Sequence, residues 1–261
     1  PDHLVHQRFG PMTNNLKSFI YWGHPTGFDF SKRSELPTIS AADVATGDFN
    51  DDGHADLAFV NNLRKEQSVY VYWGDSSGAF DEDSRQVLNM SRDSSVEDVA
   101  SLEMNTALAD DLNADGLDDL VISGTRSAVI FYGSNNGFDP EDVTVLPAQN
   151  SNGLEVADLN GDGHQDLIVA NADQGDEQAQ SIIYWGREGG YDAADQTALS
   201  TLGAMAVKAA DLNSDGVLDL VFGNVRRIKD VPSQIFWGSA EGYSDNRQRR
   251  LQSFGAMGVG V

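Results

Sequence analysis

The chain has 261 residues, of which 40% are hydrophobic, so it is long enough to bury a sizeable core in one or two domains. Its 41 acidic side chains outnumber its 17 basic ones and give a formal net charge of −24. That charge repels nucleic acid and anionic membrane surfaces at long range, so neither is expected as a partner. The sequence contains no cysteine, which excludes disulfides, thiolate metal sites and cysteine catalysis. No apolar run approaches the ~18 residues of a transmembrane helix, so membrane insertion is not expected.

An acidic motif, D-x-N-x-D-G-x-x-D-L, occurs four times along the chain. Its copies span residues 48–57, 111–120, 158–167 and 211–220. The starts of successive copies are 63, 47 and 53 positions apart. This spacing indicates a repeat unit of about fifty residues, which is in the range of propeller blades.

A second motif, two aromatic residues followed by glycine, runs in phase with the first. Its copies are Tyr21-Trp22-Gly23, Tyr72-Trp73-Gly74, Phe131-Tyr132-Gly133, Tyr184-Trp185-Gly186 and Phe236-Trp237-Gly238. A stretch rich in β-branched or aromatic residues precedes it and predicts a strand. Another glycine follows after three intervening residues, at position 27, 78, 137, 190 or 242, and predicts a turn. Because the aromatic residues recur in register, we expect the tryptophans to pack between neighbouring units.

The order of segments within one unit predicts four strands. A small apolar segment leads into the acidic loop, and the loop leads into a strand that begins with Asp-Leu. The aromatic-aromatic-glycine strand and a polar outer strand follow. Four short antiparallel strands per unit predict an all-β fold, a β-propeller of about five four-stranded blades. No composition shift marks a boundary, so residues 1–261 are expected to form a single propeller domain.

The two ends of the sequence leave the size of the ring open. Residues 251–261 (LQSFGAMGVGV) parallel residues 199–209 (LSTLGAMAVKA), which precede an acidic loop. Residues 2–5 resemble the segment that follows such a loop. Either the N- and C-terminal strands lie side by side and complete one blade of a ring of five, or the units belong to a larger propeller.

The acidic loops are predicted to bind a hard divalent cation. Such an ion needs six to eight oxygen ligands, and Asp or Asn at alternate positions can direct several side-chain oxygens at one centre. The glycine at position six allows the sharp turn, and position seven is expected to offer its backbone carbonyl. The assigned ligands are Asp48, Asn50, Asp52, His54 and Asp56; Asp111, Asn113, Asp115, Leu117 and Asp119; Asp158, Asn160, Asp162, His164 and Asp166; and Asp211, Asn213, Asp215, Val217 and Asp219.

Calcium, with about four ions per chain, is the expected metal. The loops supply many protein oxygens, whereas magnesium usually keeps several waters. A transition metal would need imidazole or thiolate ligands, and neither is arranged here. The loops lack the glutamate at position twelve of an EF-hand, and their flanks are predicted strands.

Together with Leu-Gly-Ala-Met (202–205) and Phe-Gly-Ala-Met (254–257), the two motifs resemble the FG-GAP/VCBS repeats of the integrin α-subunit propeller and of many bacterial secreted proteins. The resemblance covers nearly the whole chain. It implies a calcium-binding β-propeller whose metal loops lie between the first and second strands of each blade, on one rim. Integrin propellers have seven blades, whereas this chain carries material for five. Members of the family serve in adhesion, in glycan binding and as accessory modules of polysaccharide-degrading enzymes.

These features favour a secreted, extracellular or cell-surface module without catalytic activity, which acts in adhesion or binds a glycan or protein ligand. The alternatives are an accessory or catalytic propeller of a secreted polysaccharide lyase and a structural subunit of a surface or filament. Residues 74–78 match the nucleophile-elbow pattern G-x-S-x-G, but the same five positions read as a turn in the other units, so no catalytic residue is assigned. Basic residues cluster at 226–229 and 247–250, and they either face solvent or contact an acidic glycan or partner protein.

Overall fold

The computed structural model describes residues 3–5, 16–63, 66–89, 103–172, 180–225, 231–253 and 255–260. Across these ranges the chain forms β-strands and one short 3-10 turn at Asp245–Arg247, without an α-helix. The all-β fold predicted from the sequence is confirmed. None of the described residues forms a helix long and apolar enough to cross a membrane.

The strands form five antiparallel sheets, each built from strands that follow one another in the sequence. The first sheet contains β1 (His3–Val5), β2 (Leu16–His24) and β3 (Gly27–Thr38). The second sheet contains β4 (Ala41–Gly47), β5 (Asp56–Leu63), β6 (Glu66–Tyr72) and β7 (Gln86–Asn89). The third sheet contains β8 (Met104–Asp110), β9 (Asp119–Gly124), β10 (Ser127–Phe131) and β11 (Val143–Pro147). The fourth sheet contains β12 (Ser151–Ala157), β13 (Asp166–Asn171), β14 (Gln180–Arg187) and β15 (Gly190–Ser200). The fifth sheet contains β16 (Ala204–Ala210), β17 (Asp219–Asn224), β18 (Ser233–Phe236) and β19 (Gln248–Leu251).

Each four-stranded sheet repeats the order predicted for one unit. Its first strand ends at an acidic loop, its second strand begins at the ninth residue of that loop, and its third strand runs into the aromatic-aromatic-glycine motif. The glycines predicted to form the following turn have positive φ angles, between +74° and +109°. They are Gly27, Gly78, Gly137, Gly190 and Gly242. The repeated sheets make a propeller-like array.

Hydrophobic clusters join neighbouring sheets in sequence order. The cluster between the third and fourth sheets contains Val121, Ile130 and Leu146 from one sheet and Leu167 and Tyr184 from the next. The second residue of the aromatic-aromatic-glycine motif packs against such a cluster in four units. These residues are Trp22, Trp73, Tyr132 and Trp185. The predicted packing of tryptophan between units is therefore confirmed for the first, second and fourth copies of the motif.

The described residues do not form a closed ring. In the three-stranded first sheet, β1 pairs with β2 alone. Residues 255–260, whose sequence resembles a first strand, lie beside the end of β17, where the Ala256 N–H donates to the Asn224 carbonyl at 3.1 Å. Among the described residues, the N- and C-terminal strands therefore do not complete the blade that the five-bladed alternative requires.

A close backbone contact requires glycine at the third position of the aromatic-aromatic-glycine motif. A Cβ atom at this glycine would overlap the carbonyl oxygen of the eighth residue of the acidic loop in the same sheet. The contact occurs at Gly74, Gly133, Gly186 and Gly238. Because glycine has no Cβ, the third strand can pass directly beside the loop.

We expect Gly186→Ala to destabilise the fold by about 1–3 kcal/mol, because the new methyl group must displace the Gln165 carbonyl. Gly258→Ala is the matched control, since no heavy atom lies within 4 Å of the place its Cβ would take. Urea unfolding of the two variants measures the difference, and equal stabilities would contradict a steric requirement for this glycine.

Candidate metal centres

The four acidic loops occupy the same place in the second to fifth sheets, between the first and second strands. The backbone is left-handed at positions four and six of each loop. At position four, φ is +58° to +75° at Asp51, Ala114, Gly161 and Ser214. At position six, φ is +81° to +94° at Gly53, Gly116, Gly163 and Gly216. A non-glycine residue in this region costs about 1–2 kcal/mol, so the side-chain contacts of the loop must hold the backbone there.

The side-chain oxygens at positions one, three and five turn inward onto the amides of their own loop. In the third loop, Asp158 Oδ1 and Asn160 Oδ1 both accept the N–H of Asp162, at 3.1 and 2.9 Å. Asp158 Oδ2 accepts the N–H of Gly163 at 3.0 Å, and Asp162 Oδ1 accepts the N–H of His164 at 2.8 Å. Asn160 Nδ2 donates to Asp162 Oδ2 at 2.9 Å. The loop therefore brings oxygens from three side chains to one side of a short backbone arc.

The same five hydrogen bonds recur in the other three loops. The backbone donor at position seven is His54, Leu117 or Val217 in those loops. Four sequences that differ at positions two, four, seven and eight thus adopt one loop conformation. The shared Asp, Asn and Gly residues determine it.

The ninth aspartate has a different environment from the other predicted ligands. Asp166 is fully buried, and its carboxylate accepts the N–H of Leu159 at 2.9 Å and the N–H of Gly186 at 2.8 Å. Leu159 is the second residue of the loop, and Gly186 is the glycine of the aromatic-aromatic-glycine motif. One carboxylate thus joins the start of the loop to the end of the third strand.

All four sheets contain this pair of hydrogen bonds, with lengths between 2.8 and 3.1 Å. The accepting residues, all fully buried, are Asp56, Asp119, Asp166 and Asp219. Sequence reasoning assigned them to the metal and missed the contact with the glycine. The sequence does contain a signal for this contact, because the ninth aspartate and the motif glycine occur together in every unit that has an acidic loop.

Burial raises the pKa of Asp56 and Asp166 to about 6 and that of Asp119 to about 7. The carboxylates at positions five and one of the same loop add to the rise, whereas the two backbone N–H donors oppose it. The negative charges of one loop therefore repel each other across a short distance. A bound cation would relieve that repulsion.

The donor set of each loop fits calcium in its chemistry. In the described ranges, no group of three or more His, Asp or Glu side chains is arranged to hold a metal ion. Each loop has only two outer carboxylates, because the third outer donor is asparagine. The ninth carboxylate already accepts two N–H groups. An ionised carboxylate has about four lone-pair sites, so the ninth residue keeps capacity for a further contact. Carboxylate, amide and carbonyl oxygens are the ligands that calcium takes.

A direct contact between the first and second loops was not predicted. The Asp48 N–H donates to Asp118 Oδ2 at 2.8 Å, and the Asp118 N–H donates to the Asp48 carbonyl at 3.2 Å. Asp118 is the eighth residue of the second loop, a position occupied by Ala55, Gln165 and Leu218 elsewhere. Because this aspartate occurs in one copy only, the repeat pattern gave no signal for it.

The remaining candidates from the sequence are the serine turn at 74–78 and two basic clusters. Residues 75–78, after the buried Gly74, form an exposed turn in which Asp75 Oδ1 accepts the N–H and hydroxyl of Ser77, so the predicted turn is confirmed. The basic cluster at 226–229 lies outside the described residues. In the second basic cluster, Arg247 pairs with Glu241 at 2.8 Å, and Arg249 and Arg250 are exposed on β19.

The FG-GAP-like repeat family matches residues 111–169 and 158–222. These ranges include the second, third and fourth acidic loops. This part of the chain is therefore similar to FG-GAP-like repeats, the resemblance that the sequence motifs indicated. No curated protein matches the chain.

Solved structures that resemble part of the chain include a lectin and a biofilm matrix protein. A lectin from Agrocybe aegerita, with specific recognition of non-reducing terminal N-acetylglucosamine, is 15% identical, has a TM-score of 0.48, and matches 79% of this chain and 51% of its own. The biofilm matrix protein Bap1 of V. cholerae is 19% identical, has a TM-score of 0.33, and matches 76% of this chain and 37% of its own. The chain thus spans about half the length of the lectin and a smaller share of Bap1.

The two kinds of aspartate should respond differently to substitution in metal-free protein. We expect Asp166→Ala to lower the free energy of unfolding by about 2–5 kcal/mol, because two buried N–H groups lose their acceptor. Asp162→Ala, at an exposed position of the same loop, should cost less than about 1 kcal/mol. Denaturant unfolding with chelator present measures both values. The assignment fails if Asp162→Ala is the more damaging change.

Mild acid should stabilise the metal-free fold. The pKa values of Asp56, Asp119 and Asp166 lie above the ordinary value of 3.8, so the folded chain binds protons more tightly than the unfolded chain. This contribution is fully present below about pH 4 and is lost as the pH rises through about 6–7. Melting temperatures with chelator should therefore fall between about pH 5 and pH 8, and Asp119→Asn should flatten the dependence. A melting temperature that rises over this range would contradict the burial of these charges.

Proposed function

We propose that the chain is a calcium-binding β-propeller module that acts outside the cell and binds a glycan or protein ligand. The observation that carries the proposal is the recurrence of one loop conformation, with the same oxygen donors, in four successive sheets. A turn alone needs no repeated Asn at position three beside aspartates at positions one and five. Four copies of one donor set are what a repeated metal site requires.

Charge supports calcium in this role. The loops carry aspartates at positions one, five and nine, so the four copies hold twelve of the 41 acidic residues. Four Ca²⁺ ions would change the formal net charge from −24 to −16. The ions would act beside carboxylates that raise the pKa of the buried ninth aspartate, and their binding would stabilise the folded chain by mass action.

In this proposal each four-stranded sheet is one blade, and its loop lies on the rim that joins first and second strands. Sites of this kind suit the weak affinities, about 10⁻⁴–10⁻³ M, that are found in extracellular calcium modules. The role of calcium is to hold the rim in one conformation. The rim and the grooves between blades are then available to a glycan or protein, and no catalytic step is assigned to the chain.

Isothermal titration should find about four calcium ions per chain. Asp162→Ala should lower the stoichiometry by one, and calcium should raise the melting temperature of the wild type by more than that of the variant. Asp195→Ala removes an exposed carboxylate outside the loops and is the matched control. Titration without heat, together with a melting curve that chelator leaves unchanged, would overturn the calcium assignment.

The ligand class can be tested separately on a glycan array probed with calcium and with chelator. The proposal expects glycan binding that chelator weakens, or, if glycans fail, capture by an extracellular protein under the same calcium dependence. Release of unsaturated ends from acidic polysaccharides in the same samples would instead identify a lyase. Ligand binding that is equal with and without calcium would mean that the ligand is recognised independently of the acidic loops.

A further inference from the structure

The first and second acidic loops are in direct contact through Asp48, the first residue of the first loop. Its side chain faces its own loop, because Asp48 Oδ1 accepts the N–H of Asp52 at 3.2 Å and Asp48 Oδ2 accepts the N–H of Gly53 at 2.9 Å. Its backbone faces the second loop. The Asp48 N–H donates to Asp118 Oδ2 at 2.8 Å, and the Asp48 carbonyl accepts the N–H of Asp118 at 3.2 Å. One residue is therefore hydrogen-bonded to both loops.

The residue after Asp48 adds a third hydrogen bond between the two units. The Phe49 carbonyl accepts the N–H of Ser134, which follows the third strand of the next sheet, at 3.2 Å. The Phe49 N–H donates to the buried Asp56 of its own loop at 3.0 Å. All four backbone polar groups of Asp48 and Phe49 are thus hydrogen-bonded, three of them to the next unit. The start of the first loop is therefore held by the unit that carries the second loop.

A glycine leaves the space that the Asp118 carboxylate occupies. A Cβ atom at Gly47 would lie 2.7 Å from Asp118 Oδ2 and 2.9 Å from Asp118 Cβ, so any larger residue there would displace the carboxylate. The residues that precede the other three loops are Asp110, Ala157 and Ala210. Glycine before the first loop and aspartate at position eight of the second loop therefore form a matched pair.

The later pairs of loops lack this contact. The eighth residue of the third loop is Gln165, whose Oε1 is buried without a hydrogen-bond partner among the described residues. The eighth residue of the fourth loop is Leu218, whose side chain has no polar atom. Within the described ranges, no backbone hydrogen bond joins the second loop to the third or the third loop to the fourth. The four loops share one conformation but differ in how they are connected.

We propose that Asp118 couples calcium binding at the first and second loops, so that occupancy of one raises the affinity of the other, whereas the third and fourth loops bind independently. Asp118 is a positioning residue here, because it acts through Asp48 and not on the ion. The inference rests on the calcium-binding function proposed above and adds to it an order of filling among the four loops.

The coupling passes through a single peptide group. The N–H of Asp118 and the carbonyl of Leu117 belong to the same planar unit, so the hydrogen bond from that N–H to Asp48 fixes the direction of the Leu117 carbonyl. Leu117 occupies position seven, whose carbonyl is an assigned ligand of the second loop, and Asp48 is an assigned ligand of the first. An ion that orders either residue orders the other, so the second binding step has less conformational freedom to lose.

Charge opposes this coupling in part. Two cations in neighbouring loops would repel each other, and added salt screens that repulsion. The Asp118 carboxylate offsets some of it, because its backbone belongs to the second loop while its Oδ2 contacts the first. Ordering of the shared residues therefore decides the sign, and the expected coupling is positive at physiological salt.

An NMR titration of the full chain with calcium reads the loops separately. The amides of Gly53, Gly116 and Gly163 donate to the first aspartate of the first, second and third loop, so their shifts report the occupancy of each loop. Asp115→Ala removes a ligand of the second loop and should weaken calcium binding at Gly53 by about fivefold or more.

The reverse substitution gives a second measurement of the same coupling. Asp52→Ala removes the equivalent ligand of the first loop and should weaken calcium binding at Gly116 by the same factor, because coupling free energies are reciprocal. Asp162→Ala, at position five of the third loop, should leave the affinities of the first two loops unchanged. A residue with only a structural role would not produce equal factors in the two directions.

Removal of the link should leave calcium binding but abolish its coupling. In Asp118→Ala, the affinity of the first loop should no longer depend on whether the second loop binds. Asp118→Asn keeps a side-chain oxygen for the Asp48 N–H and should retain most of that dependence. Gly47→Ala displaces the carboxylate with Asp118 itself present, so it should also uncouple the loops. Gln165→Ala, at position eight of the third loop, is the matched control.

The outcomes separate this inference from the calcium assignment. Independent or mutually weakening binding at the first two loops of the wild type would overturn the coupling and leave the calcium assignment intact. Coupling that survives in both Asp118→Ala and Gly47→Ala would overturn the role of Asp118. Amide shifts that do not respond to calcium at any loop would overturn the proposed function, and this inference with it.

Discussion

A buried carboxylate that accepts two backbone N–H groups is the contact on which the repeated sheets depend. In each of the four sheets with an acidic loop, the ninth aspartate accepts the N–H of the second loop residue and the N–H of the motif glycine. That glycine lies 14 to 20 residues further along the chain. It thereby fixes where the loop starts and where the third strand ends. The glycine is needed at this point because the carbonyl of the eighth residue leaves no room for a side chain. A buried charge is costly, and the two N–H donors offset part of that cost.

The acidic residues consequently divide into two groups with different roles. The ninth aspartate is buried and accepts two N–H groups that join loop and strand, whereas the side chains at positions one, three and five are more exposed and accept N–H groups of their own loop. The aspartates at positions one and five raise the pKa of the buried ninth carboxylate, and this repulsion links the two groups. A cation at the loop would favour the charged form of the ninth residue. The contact between Asp48 and Asp118 extends this linkage from the first loop to the second. The first two loops are thus connected to each other directly, beside the apolar clusters that join the sheets.

Much of this organisation could be predicted from the sequence because it is repeated. The order of strands, the turn glycines and the packing of Trp22, Trp73 and Trp185 followed from patterns that recur about every fifty residues. The bond from the ninth aspartate to the motif glycine was missed, because the two residues are far apart in the sequence and each already had a simpler explanation. Contacts that occur only once in the chain could not be predicted, for a different reason. Examples are the contact of Asp118 with Asp48 and the ion pair of Glu155 with Lys208 at 2.5 Å. Each occurs in one unit, so no repeated pattern indicates it.

Amide hydrogen exchange in metal-free protein tests the central claim that the ninth aspartate holds loop and strand together without an ion. We expect the amides of Leu159 and Gly186 to be strongly protected with chelator present, and calcium to add protection mainly at Asp162, Gly163 and His164. Leu112 and Gly133 provide the same comparison in the neighbouring sheet. If the Leu159 and Gly186 amides exchange freely until calcium is added, the carboxylate does not hold them alone and the account is wrong.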